Sequence, residues 1–351
     1  MNQKKISVVI ATFNSEKTLP LTLNSLKKQT YDQGQIEILI IDGGSTDTTL
    51  QLCSECKIIS NPKVEPGFAK FLGLTSASGE YIIFIDSDEE LLNTNSLIEK
   101  VRLLESTPDC AIVISSGYKS PKKYGFLNTY INAYGDPFSC FIYNLSKLHG
   151  EFFSNLEQKY PVQFDIGPAS VFNMRDISPL PMIELTTMGS LLHLSLIKRE
   201  FPALFTESHL IPHAFYLICK RFFLIGMCKN DPINHYSSSS FRSYFGKIKS
   251  RIRNNIHFKN DLGMVGFTGR SQFDPLSFRL KKFLFIPYAF LLLPLVFHAT
   301  FMALKRFDLR YLMHIPLTLL TAASICLEFI KKILHTKEDK KSYGERFKIE
   351  K

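Results

Sequence analysis

Blocks of consecutive apolar residues alternate with stretches of helical spacing through the first 118 residues. The β-branched and apolar runs predict five strands, at residues 6–12, 36–41, 57–60, 81–85 and 110–115. Helical spacing is found at residues 15–29, 45–56, 67–76 and 95–105, with Ser15 as an N-cap of the first helix. Strands that are apolar on both faces and separated by helices indicate a parallel sheet covered on two sides. This part of the chain is therefore expected to be α/β.

Polar residues directly follow three of these predicted strands. They are residues 12–14 (TFN), 42–47 (DGGSTD) and 86–88 (DSD). In open α/β sheets, ligands bind beyond the carboxyl ends of the strands. The pattern alone therefore marks these three segments as the candidate site.

The remainder of the chain divides into three further regions. Residues 119–275 have a mixed, irregular pattern that includes a basic amphipathic helix from Phe241 to Arg253, and residues 276–335 contain two long apolar stretches. The stretch from Phe283 to Leu304 has one titratable group and would span roughly 33 Å as a helix, enough for a bilayer core. Tyr311 to Ile330 forms the second stretch, and residues 336–351 are a basic tail. A spanning hairpin, a shallow re-entrant pair and a buried core hairpin all fit this pattern.

The charge distribution separates the front of the chain from its back. The net charge is +10 over 351 residues, but residues 1–118 hold 10 basic and 15 acidic side chains, a net of −5, which leaves +15 for the rest. A nucleic-acid-binding protein is poorly supported, because the positive charge lies beside apolar helices and no recognition motif is present. The apolar run after Lys5 is too short for a signal peptide. We expect a catalytic domain at the cytoplasmic face of a membrane, with the C-terminal helices in or on the bilayer.

Asp86 and Asp88 are the residues most typical of a metal site. Two carboxylates one residue apart at a strand end are hard oxygen ligands that suit Mg²⁺ or Mn²⁺. Acidic turn residues are common, so this pair gains its weight from the other two segments. In the second segment, Asp42 is positioned to accept hydrogen bonds from a base or a ribose.

Four motifs in order resemble family 2 of the inverting glycosyltransferases, which have the GT-A fold, a Rossmann-like and mostly parallel sheet with helices on both faces. The motifs are residues 7–14 (SVVIATFN), 40–47 (IIDGGSTD), 66–82 and 84–89 (FIDSDE). Gly43 stands where the family usually has a second Asp, and Lys70 replaces an Arg. The resemblance covers about residues 5–118, and the C-terminal apolar helices lie outside it.

The resemblance implies roles for matching residues. Thr12, Asn14 and Asp42 would bind the nucleoside of a nucleotide-sugar, and Lys70 would face its diphosphate. Asp86 and Ser87 would bind on the donor side, while Asp88, together with His235, would hold the Mg²⁺ or Mn²⁺. These implied site residues are Thr12, Asn14, Asp42, Lys70, Asp86, Ser87, Asp88 and His235.

The catalytic base is the weak point of the resemblance, because the acidic pair usual in the family is missing. Glu184 is one candidate, since it lies in an apolar stretch where an isolated carboxylate needs a reason. His213 is another, since imidazole titrates near neutral pH. Asp165 and Asp176 remain alternatives.

We therefore expect an inverting, divalent-metal-dependent glycosyltransferase. Its donor would be UDP-, GDP- or dTDP-linked, and its acceptor a lipid-linked or cell-envelope glycan. The missing acidic pair keeps open a second hypothesis, a non-catalytic nucleotide-sugar-binding scaffold with a degenerate base position.

Overall fold

A computed structural model describes residues 3–175, 179–237, 240–258 and 266–336. The predicted basic tail lies outside these residues except for Thr336. The strands are β1 Ile6–Thr12, β2 Ile36–Asp42, β3 Lys57–Ser60, β4 Tyr81–Phe84, β5 Glu89–Leu91, β6 Cys110–Ile114, β7 Tyr118–Lys119, β8 Val162–Ile166, β9 Ala169–Asn173, β10 Ser190–His193, β11 Leu224–Cys228 and β12 Ile233–His235. The helices are α1 Leu19–Lys27, α2 Pro66–Ser76, α3 Ser96–Ser106, α4 Phe126–Tyr134, α5 Pro137–Tyr143, α6 Phe152–Glu157, α7 Leu194–Glu200, α8 Ala214–Phe222, α9 Phe241–His257, α10 Gly266–Arg270, α11 Leu276–Leu280, α12 Phe285–Phe290, α13 Leu293–Arg306 and α14 His314–Ile333.

Nine strands form one sheet in the order β3-β2-β1-β4-β10-β6-β11-β9-β8. The first four are mutually parallel, as the sequence predicts, and Thr12 is paired with Asp42 in the register of β1 and β2. The strands from the irregular region make the sheet mixed, because β10 runs antiparallel to both β4 and β6. The carboxyl ends of β1, β2 and β4 therefore meet at one edge.

A second, three-stranded sheet in the order β5-β12-β7 carries further residues of that region. In it, β12 runs antiparallel to β5 and brings His235 opposite Glu89. The pairing joins positions 146 apart in the chain, so no local sequence pattern reports it.

Helix α2 packs closely on β1 because it has a glycine at the contact. A Cβ on Gly73 would lie 2.1 Å from Cγ1 of Val9, which is far inside van der Waals contact. This close approach fixes the position of α2, the helix that carries Lys70.

Two helices of the first 118 residues differ from expectation. The first helix begins at Leu19, with Pro20 in its first turn, so Ser15 is not its N-cap. The predicted helix over residues 45–56 is wrong, since only Leu50–Cys53 is helical and it is a 3₁₀ helix. The Asp47 side chain accepts hydrogen bonds from the N–H groups of Thr49 and Glu16, and such bonds compete with an α-helix.

The described residues group into two compact units. Unit 1 contains residues 3–121 and 148–236 with both sheets, and unit 2 contains residues 122–147 and 237–336, all of its regular structure helical. Each unit is built from two separate chain segments. Unit 2 includes the predicted basic helix, which is observed as α9 and extends to His257.

The first apolar stretch of unit 2 is not one continuous helix, which corrects the prediction for Phe283 to Leu304. It breaks between α12 and α13, where Leu292 has a positive φ of 58°, and Pro294 stands in the first turn of α13. The helices on either side are bent by 91°. Among the described residues, Leu309–Ile333 is long and apolar enough to cross a membrane by length and composition, and the bent pair counts as a second such segment only if taken as one span.

Candidate active site

Asp42 is held rigidly at the end of β2. Its Oδ2 accepts hydrogen bonds from the N–H groups of Gly44 (2.8 Å) and Ser45 (2.9 Å), and its Oδ1 accepts one from Thr12 Oγ1 (3.2 Å). Gly44 has a φ of +86°, which favours glycine, so the chain turns there at little cost. Thr12 and Asp42, both buried, therefore form a pre-organised pair at the strand ends.

Asn14 and Ser87 connect the loops that follow these strands. The Asn14 Oδ1 accepts a hydrogen bond from Thr46 N–H at 2.8 Å, and the Asn14 N–H donates to Ser45 Oγ at 2.9 Å. Ser87 Oγ lies 2.8 Å from Ser15 Oγ, so the loop after β4 is joined to the loop after β1. The three segments marked by the sequence are thus brought together.

Lys70 and Asp86 form an ion pair beside these loops. The Lys70 Nζ lies 2.6 Å from Asp86 Oδ1, and it also donates a hydrogen bond to the Thr186 carbonyl. Burial opposes the charge on Lys70, but attraction to Asp86, Glu89 and Glu184 outweighs it and raises the pKa of Lys70. The ammonium stays charged at neutral pH and is placed to meet an anion.

Glu89 joins the Asp86 turn to the Thr187–Met188 segment, a role that the sequence did not assign to it. Its carboxylate is fully buried and accepts hydrogen bonds from the Tyr118 hydroxyl and the Thr187 hydroxyl, both at 2.6 Å, and from the N–H groups of Asp86 and Met188. Burial and repulsion from Asp86 raise the pKa of Glu89. The run of acidic residues after β4 is a local signal for a role of Glu89, but its partner Thr187 lies 98 positions away, so the sequence does not reveal the contact.

Asp88 and His235 face each other at the metal position implied by the resemblance. Asp88 Oδ2 lies 3.7 Å from His235 Nε2, and the Tyr118 ring stacks on the imidazole with 4.7 Å between centroids. No group of three or more His, Cys, Asp or Glu side chains within the described ranges is arranged to hold a metal ion. Mg²⁺ is usually held by one or two carboxylates, with phosphate oxygens and water as the other ligands, and Asp88 is a ligand of that type.

The candidate bases are placed differently from one another. Glu184 is exposed, and it precedes the Thr186–Met188 segment that contacts Lys70, Asp86 and Glu89. Its charge acts on Lys70 directly. His213 is buried, at the end of a 3₁₀ helix that packs against α2.

The two alternative acids lie elsewhere. Asp165 is on β8, the edge strand farthest from β1, and forms an exposed ion pair with Lys229. Asp176 lies outside the described residues. Within the described residues, the segment that begins at Glu184 contacts the Lys70–Asp86 pair, whereas Asp165 lies at the far edge of the sheet.

A parallel β-α half-sheet with a pre-organised Asp, an Asp-Ser-Asp turn and a charged lysine at its strand ends is the arrangement that the resemblance to GT-A nucleotide-sugar transferases implies. Residues 7–178 of the chain match the model of the glycosyl transferase family 2. Residues 7–178 therefore form a family 2 glycosyltransferase domain, and the match extends 60 residues beyond the segment that carries the sequence resemblance.

Curated relatives match the front of the chain. The poly(ribitol-phosphate) β-N-acetylglucosaminyltransferase TarS of Staphylococcus aureus is 38% identical over 93 residues, which cover 24% of this chain and 16% of TarS. Glycosyltransferase GlyG of Streptococcus pneumoniae is 31% identical over 134 residues, 36% of this chain and 43% of GlyG. The chain thus spans less than half the length of either relative.

Two solved glycosyltransferase structures are among those similar to this chain. The S. aureus TarS structure with UDP covers 74% of this chain, and the chain covers 67% of it, with 19% identity and a TM-score of 0.45. The mannosyltransferase PcManGT of Pyrobaculum calidifontis covers 96% of this chain, with 89% of its own chain covered, 12% identity and a TM-score of 0.48.

Proposed function

We propose that this transferase moves a sugar from a UDP-, GDP- or dTDP-linked donor to a lipid-linked or cell-envelope glycan, with inversion and with a divalent cation. The observation that carries the proposal is the cluster of Asp42, Lys70, Asp86 and Asp88 at one edge of the parallel strands. The roles below follow from the contacts of each residue.

Donor binding is assigned to the loops after β1, β2 and β4. Asp42, oriented by Gly44 and Ser45, would accept hydrogen bonds from the nucleoside, beside Thr12 and Asn14. Lys70 would turn from Asp86 to the diphosphate, since a doubly charged group attracts it more strongly than one carboxylate. Asp86 and Ser87 would then be free to contact the ribose.

Asp88 and His235 would hold Mg²⁺ or Mn²⁺. Asp88 lies in the turn before β5, and His235 is the last residue of β12. The Tyr236 N–H donates a hydrogen bond to the Asp88 carbonyl at 2.8 Å, which joins the two segments. A bound cation would neutralise the negative charge that develops on the leaving diphosphate. The protein would contribute these two ligands, and the diphosphate and water would supply the others.

Glu184 is our choice of catalytic base. It is the acidic residue of the segment that contacts the Lys70–Asp86 pair, and its exposure leaves it open to an acceptor. A carboxylate there would take the proton of the acceptor hydroxyl as that oxygen attacks the anomeric carbon. His213 is disfavoured because it is buried.

The acceptor is inferred from the relatives and from unit 2. TarS and a poly(ribitol-phosphate) β-glucosyltransferase of Bacillus spizizenii act on poly(ribitol-phosphate) by name. Exposed apolar helices in unit 2 favour an acceptor at the cytoplasmic face of a membrane.

A thermal-shift panel of nucleotide sugars, with and without Mn²⁺, tests donor binding. A ligand at a hundredfold excess over its Kd should stabilise the protein by about 2.7 kcal/mol. Transfer is then measured to acceptors in a membrane extract. Donor binding without transfer to any acceptor would favour the scaffold hypothesis, and stabilisation by no nucleotide sugar would contradict both hypotheses.

A further inference from the structure

Unit 2 exposes an apolar surface that centres on the break between α12 and α13. Leu291, Leu293 and Phe297 are 70%, 80% and 75% exposed, and Phe307, after α13, is 98% exposed. Single exposed apolar side chains are ordinary, but a contiguous set of this size marks an interaction site. Residues 290–309 are called the apolar tip below.

The bent pair that forms the apolar tip is too short on each side to cross a bilayer. Helix α13 has 14 residues, about 21 Å at 1.5 Å per residue, and the helical arm before the break, Leu276–Phe290, has 15, about 22 Å. A hydrocarbon core is about 30 Å thick. With 91° between them, the two helices cannot add their lengths along one direction.

Helix α14 is long enough, but its charged and partnered residues shorten the part suited to lipid. Glu328 is paired with His257 of α9 at 3.0 Å and with Lys331 at 2.9 Å. At the other end, His314 is buried and binds the hydroxyls of Tyr130 and Tyr288. Residues 315–327 between them would span about 20 Å, which is short of a bilayer core.

Helix α9 also argues against a spanning α14, because it packs against that helix and is strongly basic. Its basic residues are Arg242, Lys247, Lys249, Arg251 and Arg253. Such charges are expensive in hydrocarbon and favourable beside anionic headgroups. The pair of helices is suited to the interface.

Basic residues also border the apolar tip on both sides. Lys281 and Lys282 precede it, and Lys305, Arg306 and Arg310 occur in its last turn and just after it. A spanning hairpin would carry the second group across the membrane, against the positive-inside tendency. An arrangement that stays in one leaflet keeps all of them on the same side.

We propose that unit 2 binds one leaflet of an anionic bilayer, with the apolar tip inserted and α9 among the headgroups, and that no segment from α9 to α14 crosses the membrane. The inference specifies the membrane association proposed above and does not depend on the transfer reaction. Donor binding in vesicle-free buffer tests the reaction separately.

Topology is tested with the full chain bound to sealed vesicles of phosphatidylcholine and phosphatidylglycerol. Arg310→Cys, on the exposed basic flank just after the tip, should react with a membrane-impermeant maleimide added outside, at a rate well above that of the wild-type cysteines. A spanning hairpin would place this residue inside the vesicle. Labelling that requires detergent therefore overturns the proposal.

Binding is tested by vesicle flotation with a matched pair of variants. Leu293→Asp should reduce binding at least tenfold, because it places a charge in the inserted tip, while Leu52→Asp, on an exposed 3₁₀ segment of unit 1, should not. Vesicles of phosphatidylcholine alone should bind more weakly. Equal loss in both variants would show that vesicle binding does not depend on the tip. An absence of vesicle binding, with a dimer in sedimentation, would show that the tip binds a second copy of the chain. Either result overturns the proposal.

Discussion

At the strand ends, each carboxylate is oriented by hydrogen bonds or an ion pair within the protein. Asp42 is fixed by backbone N–H groups, Asp86 by the Lys70 ammonium, and Glu89 by four donors in a buried position. The strand-end rule predicts Asp42 and Asp86 from sequence, because both directly follow apolar strands. Glu89 and Thr187 escape it, because their partnership depends on contacts about 100 residues apart.

Asp88→Asn should keep the fold but abolish the Mn²⁺-dependent part of nucleotide binding. An amide is neutral and a poorer ligand for a hard cation than a carboxylate. Thermal shift with UDP or GDP, with and without Mn²⁺, measures this, and Asp165→Asn is the control. Unchanged Mn²⁺ dependence in Asp88→Asn would remove this residue from the metal site.

Glu184→Gln should reduce transfer by about 10²–10⁴-fold while donor binding survives, because the amide cannot accept the acceptor's proton. Initial rates and donor affinity are measured on the same preparation. His213→Gln is the comparison, and a loss of transfer confined to that variant would exchange the two assignments.

Among the secondary-structure elements, those built from local pattern are foreseeable and those built from distant pairing are not. The four parallel strands and α2 follow from runs of apolar residues. The 3₁₀ segment at Leu50–Cys53 does not, since Asp47 captures backbone donors that an α-helix would need. Strands β10 and β12 are short, and their partners lie far away in sequence, so their placement depends on the completed sheet. Strands β8 and β9 form a local hairpin, but the hairpin is placed by pairing of β9 with the distant β11.

Gly73→Ala should destabilise the protein by about 1–3 kcal/mol, since the added methyl overlaps Val9 and forces α2 from the sheet. Donor affinity should fall as well, because α2 carries Lys70. Adding Val9→Ala should restore part of both. Chemical unfolding and donor titration measure the effects, and a double variant no better than Gly73→Ala would contradict the packing argument.

Glu37 should make the stability depend on acid pH. Burial acts to raise its pKa, but hydrogen bonds from Ser7, Ser78 and Lys5 prevail and lower the pKa to about 2 from 4.5. A carboxylate with a lowered folded-state pKa stabilises the protein above pH 4.5, and that contribution disappears as the pH falls towards 2. Because this carboxylate is partly open to solvent, screening reduces the contribution to about 1–2 kcal/mol.

Glu37→Gln should therefore lower the free energy of unfolding at pH 7 and flatten its change between pH 4.5 and 2. Urea unfolding at several pH values measures both quantities. Glu55→Gln, at an exposed ion pair, is the control and should change little. A wild-type pH profile in Glu37→Gln would contradict the assignment.

For the whole molecule, unit 2 is held together by buried polar contacts between its two chain segments. Tyr130, from the first segment, binds His314 Nδ1 at 2.6 Å, and Tyr288 binds His314 Nε2 at 2.9 Å. The apolar stretches are evident in the sequence, but their break and their connection to α4 are not. A histidine inside an apolar run was the available sign of a specific buried contact.

His314→Phe should destabilise unit 2 by about 1–3 kcal/mol, because the buried Tyr130 hydroxyl loses a partner, while the half-buried Tyr288 hydroxyl keeps His298. Unfolding in detergent monitors this, and Tyr130→Phe, which removes a single bond, should have a smaller effect. Donor binding, a property of unit 1 residues, is the control. Equal stability of His314→Phe and the wild type would show that the bonds contribute little.

The two-segment construction of unit 2 has a consequence for its biosynthesis. Residues 122–147 leave the ribosome first, and the 89 residues of 148–236 follow. The helices of unit 2 that cover residues 122–147 are synthesised only after that. At about 5–20 residues per second, that interval lasts roughly 4–18 seconds. During translation we therefore expect the apolar faces of α4 and α5 to stay uncovered for this interval, and we expect chaperones to bind this nascent segment.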